Sequence, residues 1–195
     1  MKHLFFLAAV FLFISCESET QGEKSSYQTH YEASGGEETA TYKQTIDYYM
    51  GLAREFPQIN IQTIGKTDSG LPLHTVTFNP DGDFNYENIR KEKSIILINN
   101  GIHPGESDGI DATMMLYRDL ATGKLEMPKN IVLVTIPIYN VGGSLNRNST
   151  TRANQNGPLE YGFRGNDRNY DLNRDFIKMD LSLIHISEPT RQAEI

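Results

Sequence analysis

Apolar positions change their period along the chain, and the changes mark out its elements. Within residues 40–56, Tyr42, Ile46, Tyr49, Met50, Ala53 and Phe56 recur at helical spacing and Pro57 closes the run. This predicts a helix with one face turned inward. "INIQTIGKTDSGLPLHTVTF" (59–78) then alternates on either side of Asp68-Ser69-Gly70, as a β-hairpin does. His74 falls on its second strand as an ordinary strand residue. "SIILINN" (94–100) and "NIVLVTIPIYN" (130–140) are continuous β-branched runs, which predict central strands covered on both faces. Between them Ile110, Met114, Tyr117 and Ala121 follow helical spacing, with Ser107 as N-cap, Asp108 and Asp111 in the first turn and Gly123 past the end. Strand, turn, helix, strand is a βαβ unit. The fold class is therefore α/β: a three-layer sandwich whose mixed, largely parallel central sheet is flanked by helices, with ligands at the carboxyl ends of its strands. From 140 to 169 the chain is rich in Asn, Gly, Ser, Thr and Arg and shows no period. A loop that long in a compact domain is usually functional. It closes on "RNYDLNRDF" (168–176).

Composition narrows the picture. The 195 residues are 38% hydrophobic and 22% charged, enough for one domain with a core. A formal charge of -7 and scattered Lys and Arg exclude a nucleic-acid surface. Lys2 and His3 precede an apolar run over 4–14 that is too short to cross a bilayer. It predicts an export signal over residues 1–15. "FISC" (13–16) resembles a bacterial lipobox, so Cys16 is expected to carry the lipid of an exported, membrane-anchored lipoprotein. The alternative is a soluble secreted protein with a free thiol at Cys16. Residues 16–38 have few aliphatic side chains and predict a flexible tether, which sets His30 aside.

The chemistry gathers at "NNGIHPGE" (99–106), where His103 and Glu106 share a strand-end turn. An imidazole and a carboxylate suit zinc, which in catalytic sites takes three protein ligands and keeps a position for water. Alone, the pair reads as a tight corner with a Glu against a helix dipole.

Four features in order change that reading. "IGKTDSGLPLHTV" (64–76), "NNGIHPGE", "IPIYN" (136–140) and "YDLNRDF" (170–176) together make the chain resemble the carboxypeptidase A-type zinc carboxypeptidases from about residue 42 to 179. The resemblance implies that His103 and Glu106 are two zinc ligands. Asp171 would accept a hydrogen bond from the distal nitrogen of His103. Asn173 and Arg174 would grip the free terminal carboxylate of a peptide. An arginine of the long loop would stabilise the oxyanion; the candidates are Arg152, Arg164 and Arg168, with Arg164 ranked first on spacing and Arg152 second. Asp175 stands where the family usually has Asn. The implied reaction is hydrolysis of a C-terminal peptide bond, in which the metal polarises the carbonyl and activates water while a glutamate moves the proton. Two rivals share these motifs: a zinc-dependent amino-acid deacylase of a related branch, and a non-catalytic surface binding module.

The third ligand and the proton-moving glutamate belong downstream of Arg174, where the chain offers His185, Glu188 and Glu194. However, "LSLIHISEPTRQAEI" (181–195) resembles the in-frame translation of a transposase-type sequencing-library adapter. Residues 181–195 are therefore expected to be a non-native tail, with no role for His185 or Glu188. Residues 39–180 would be the N-terminal part of a domain truncated on its C-terminal side. Such a chain is expected to bind zinc weakly, hydrolyse nothing measurable and expose a sheet edge.

Overall fold

The computed structural model describes residues 27–176 and 178–183. Its elements run α1 (His30–Ala33), α2 (Tyr42–Glu55), β1 (Ile59–Lys66), β2 (Pro72–Phe78), α3 (Tyr86–Glu92), β3 (Ser94–Asn99), α4 (Asp108–Ala121), β4 (Ile131–Ile136), α5 (Val141–Leu145) and a 3-10 turn, Leu172–Arg174. The expected signal, Cys16, His185, Glu188 and Glu194 lie outside the described residues. Among the described residues no helix is long and apolar enough to cross a membrane.

The sheet is mixed, in the order β1-β2-β4-β3. The βαβ unit pairs β3 and β4 in parallel, from Ser94 opposite Ile131 to Asn99 opposite Ile136. The other two pairings are antiparallel, so parallel pairing is confined to the βαβ unit instead of dominating the sheet. The hairpin forms where alternation placed it, with Gly70 at φ +79° in its turn.

Strand alternation sends neighbouring β4 side chains to opposite layers. Leu133 packs with Tyr49 and Leu52 of α2 and Met114 and Tyr117 of α4. Val132 and Val134 meet Ile89 of α3. A further cluster joins Leu73, Ile136, Tyr139, Val141, Leu172 and Leu183. Leu183, at the start of the stretch expected to be non-native, is thus buried; an apolar side chain covers apolar surface whatever its origin.

Three expectations change. The inward face of α2 carries Ile46 and Tyr49 as expected, with Tyr42, Ala53 and Phe56 packed against the core, but it also takes in Thr45 and Leu52 while Met50 is exposed. Strand β4 is central and buried, but β3 lies at the sheet edge with Ile95, Ile96 and Leu97 43–47% exposed. Residues 27–38, expected in the tether, dock on the domain. A capping box of Thr29 and Glu32 starts α1, Tyr27 packs edge-on against Phe56, and Glu32 pairs with the buried Arg118 of α4 at 2.5 Å. Few aliphatic contacts are needed when aromatic and ionic ones hold a segment.

Candidate metal centre

The turn after β3 is shaped by backbone before side chains enter. Gly101 adopts φ +64°, and a Cβ there would approach Ile138 and Ile110 to 3.2–3.4 Å. Its carbonyl accepts Asn140 N–H at 3.0 Å and that of Asn100 accepts Tyr139 N–H at 2.8 Å, so the parallel ladder continues beyond the strand. The chain then turns through Pro104 and Gly105, and Glu106 N–H closes on the His103 carbonyl at 2.8 Å. Helix α4 starts at once. Ser107 occupies its N-cap position, although its hydroxyl makes no capping bond.

This geometry buries His103 to 4% exposure and fixes both ring nitrogens. Nε2 lies 2.8 Å from Asp171 Oδ1, and Nδ1 lies 3.5 Å from Glu106 Oε1. Burial raises the Asp171 pKa, but hydrogen bonds from the His103 ring, Arg164 and the Asn173 N–H outweigh it and hold the carboxyl at about 2. An ionised carboxylate only accepts, so Nε2 donates to Asp171, which leaves Nδ1, on the Glu106 side, as the ring nitrogen a metal could take. Two ligands of a tetrahedral zinc, each about 2.0–2.1 Å from the ion, lie about 3.3 Å apart. The Nδ1–Oε1 pair fits that edge closely in both distance and donor type. Among the described residues no third His, Cys, Asp or Glu completes a metal-binding group.

Two of the three candidate arginines flank this pair from different sides. Arg152 Nη2 donates to Glu106 Oε1 at 2.7 Å. That hydrogen bond, offset in part by burial, holds the Glu106 carboxyl below its ordinary range. Arg164 Nε donates to Asp171 Oδ2 at 2.9 Å, on the far side of the imidazole. A small polar cavity of about 180 Å³ lies between Thr151, Arg152, Phe163 and Arg164. Arg168 takes part through its backbone, whose N–H donates to Asn166 Oδ1.

The long loop reaches the turn by doubling back on itself. Asn148 and Tyr161 form an isolated antiparallel bridge, and Arg152 N–H donates to the Tyr161 hydroxyl at 3.1 Å. At the loop's base Asn140 is fully buried. Its Oδ1 accepts Gly143 N–H, and its Nδ2 donates to the Arg164 carbonyl at 3.0 Å. Asp68 of the first hairpin accepts Asp167 N–H at 2.9 Å, pinning the later part of the loop.

Asn173 and Arg174 occupy the 3-10 turn capped by Asp171, whose Oδ1 also accepts the Asn173 N–H at 3.0 Å. Both side chains are exposed. Asp175 is buried, with its carboxylate accepting the N–H groups of Asp180 and Leu181 at 3.0 Å. It therefore caps the following turn and is held by backbone. His74 stays on β2 beside Tyr42, and His30 pairs with Glu38. The structure thus gathers His103, Glu106, Asp171, Arg152 and Arg164 in one network and ties in Asn173 through its backbone. Sequence reading did not single out Asn140, Gln155 or Tyr161, which lie in the stretch without a period.

Comparison with known proteins agrees with the fold. Residues 45–193 match the family described as zinc carboxypeptidase. None of the curated proteins compared with the chain matches it. Among solved structures, the chain is similar to a metallo-carboxypeptidase from Burkholderia cenocepacia, with 17% identity and a TM-score of 0.54 over 80% of this chain and 38% of that one. It is also similar to thrombin-activatable fibrinolysis inhibitor, with 17% identity and a TM-score of 0.51 over 72% of this chain and 35% of that one. The chain therefore spans well under half the length of these structures.

Proposed function

Because this chain belongs to the zinc carboxypeptidase family, we propose that the protein hydrolyses C-terminal peptide bonds, with zinc held by His103, Glu106 and a third ligand from outside the described residues. The observation that carries the reading is the His103 ring itself, anchored through Nε2 to Asp171 and facing Glu106 with Nδ1. Bound zinc would supply Lewis acidity to the scissile carbonyl and a water acidic enough to attack near neutral pH.

The chain's own residues divide the remaining work. Asp171 holds the proton on Nε2, so that Nδ1 stays a ligand through the cycle. Arg152, on the Glu106 side, is the arginine we assign to the developing oxyanion. This reverses the ranking from spacing, because Arg164 is engaged with Asp171 behind the imidazole. The exposed Asn173 and Arg174 would receive the substrate's terminal carboxylate, the guanidinium in two parallel bonds. Export and a lipid anchor at Cys16 belong to the same proposal. The described residues supply two of the zinc ligands, and two alone are expected to hold zinc weakly.

The test is the zinc-loaded protein, given one peptide as the free acid and as the C-terminal amide, and a panel of acylated amino acids. Release of the last residue from the free acid alone, abolished by His103→Ala, is the expected result. Equal cleavage of the amide, or turnover of the acylated amino acids only, would overturn it in favour of another hydrolase. Zinc binding with no turnover of anything would leave a binding module.

A further inference from the structure

We propose that Gln155 is a positioning residue for Arg152, its side-chain amide bridging that guanidinium to the backbone of the metal-binding turn. The inference rests on the reading above, in which Arg152 meets the developing oxyanion.

A primary amide has two ends of opposite polarity, and both are used. Gln155 Oε1 accepts a hydrogen bond from Arg152 Nη1 at 3.4 Å. Its Nε2 donates to the Gly105 carbonyl at 2.9 Å. Gly105 is the residue before the ligand Glu106, so one half-buried side chain ties the arginine to the segment that carries the ligand. The guanidinium is then held from several directions. Nη2 rests on Glu106, Nη1 on Gln155, and the stem lies flat over Gly105, where a Cβ would come within 2.5 Å of Arg152 Nε. The backbone is held separately, by the hydroxyl of Tyr161, a residue with 1% exposure.

These holds have a catalytic reading. An arginine side chain has many rotamers, and a donor that stabilises a developing charge works best when it is already aimed. Glu106 alone would leave Arg152 free to pivot about a single contact. Gln155 removes that freedom while placing no charge of its own beside the ligands. A carboxylate in its place would compete with Glu106 for Arg152; an apolar side chain would release it.

The rival account is that Gln155 only staples the loop to the turn through Gly105. Two variants separate the accounts. Gln155→Met loses both bonds, whereas Gln155→Glu keeps an acceptor for Arg152 and loses the donor to Gly105. Modification by phenylglyoxal, read at each arginine by peptide mass spectrometry with Arg147 and Arg164 as internal references, needs neither metal nor turnover. In Gln155→Met, Arg152 is expected to react about 2- to 10-fold faster, the range for one lost hydrogen bond. In Gln155→Glu it reacts no faster than in the wild type. Equal behaviour of the two variants, or unchanged Arg152 reactivity in both, would overturn the proposal. In the zinc-loaded protein, Gln155→Met is expected to lower kcat by a similar factor with KM unchanged; a change in KM alone would also count against it. If the wild type turns over no peptide, the functional reading fails while the modification result still decides the role of Gln155.

Discussion

Strand β3 offers two unlike regions a few residues apart. Along its edge, Ile95, Ile96 and Leu97 stand 43–47% exposed. Beyond its tip, His103 is 4% exposed and both ring nitrogens have partners. The tip is closed by side chains from distant parts of the same chain, Asp171 reaching His103 and Arg152 reaching Glu106. The edge has no such cover among the described residues. Polar closure of the tip thus comes from loops of the chain itself, whereas the apolar edge stands open among the described residues. An unpaired aliphatic edge is also a template for strand addition.

The difference can be tested from both sides. Replacing Asp171 by Asn strikes the tip hardest, because the acceptor beside the ring loses its charge and the amide can present a donor in its place. Zinc affinity measured by calorimetry is expected to fall about 10- to 100-fold, and an unchanged affinity would detach Asp171 from the metal. Gly105→Ala comes next. The added Cβ would meet Arg152 Nε at 2.5 Å and the Gly162 carbonyl at 2.7 Å, and the backbone carbonyl has no room to yield. Thermal unfolding is expected to show a loss of about 1–3 kcal/mol.

A smaller effect comes from Asp111, just inside α4. Burial raises its pKa above the ordinary 3.8, outweighing hydrogen bonds from Thr39 and Ala40. A carboxyl whose folded pKa is raised favours the fold when protonated, and that stability is lost as pH rises from about 4 through the raised value. Asp111→Asn should therefore gain roughly 1 kcal/mol at neutral pH, the scale for one buried polar group, and lose its advantage below pH 4 in a pH series of melts. Leu97→Lys on the edge should change stability by less than about 0.5 kcal/mol while reducing self-association in sedimentation. A large loss of stability would show that the edge is covered after all.

Much of the scaffold could be read from period alone. The hairpin, the βαβ unit and helix α4 lie where the apolar spacing put them, because each element shows in the period of its own residues. Periodicity records that β3 is apolar but not what lies beside it, so its edge position was not legible. The docking of residues 27–38 depends on Arg118 and Phe56, which composition cannot pair with Glu32 and Tyr27. At the site, the His103–Asp171 contact was anticipated through the family resemblance. Ranking Arg164 above Arg152 rested on counting residues back from Asn173. The loop folds back at Asn148 and Tyr161, so position along the chain does not measure distance to the turn, and Arg152 is proposed instead on its contact with Glu106. Gln155 gave no signal, since a single amide in an aperiodic loop acquires partners only through that loop's path.

The central claim is that the imidazole of His103 and the carboxylate of Glu106 hold one zinc ion. Its most direct test is zinc K-edge absorption on the metal-loaded protein beside His103→Ala. The account predicts light nitrogen or oxygen scatterers at about 2.0–2.1 Å with the outer signature of an imidazole, weakened by one ring in the variant. A spectrum that is the same with and without His103 would contradict it.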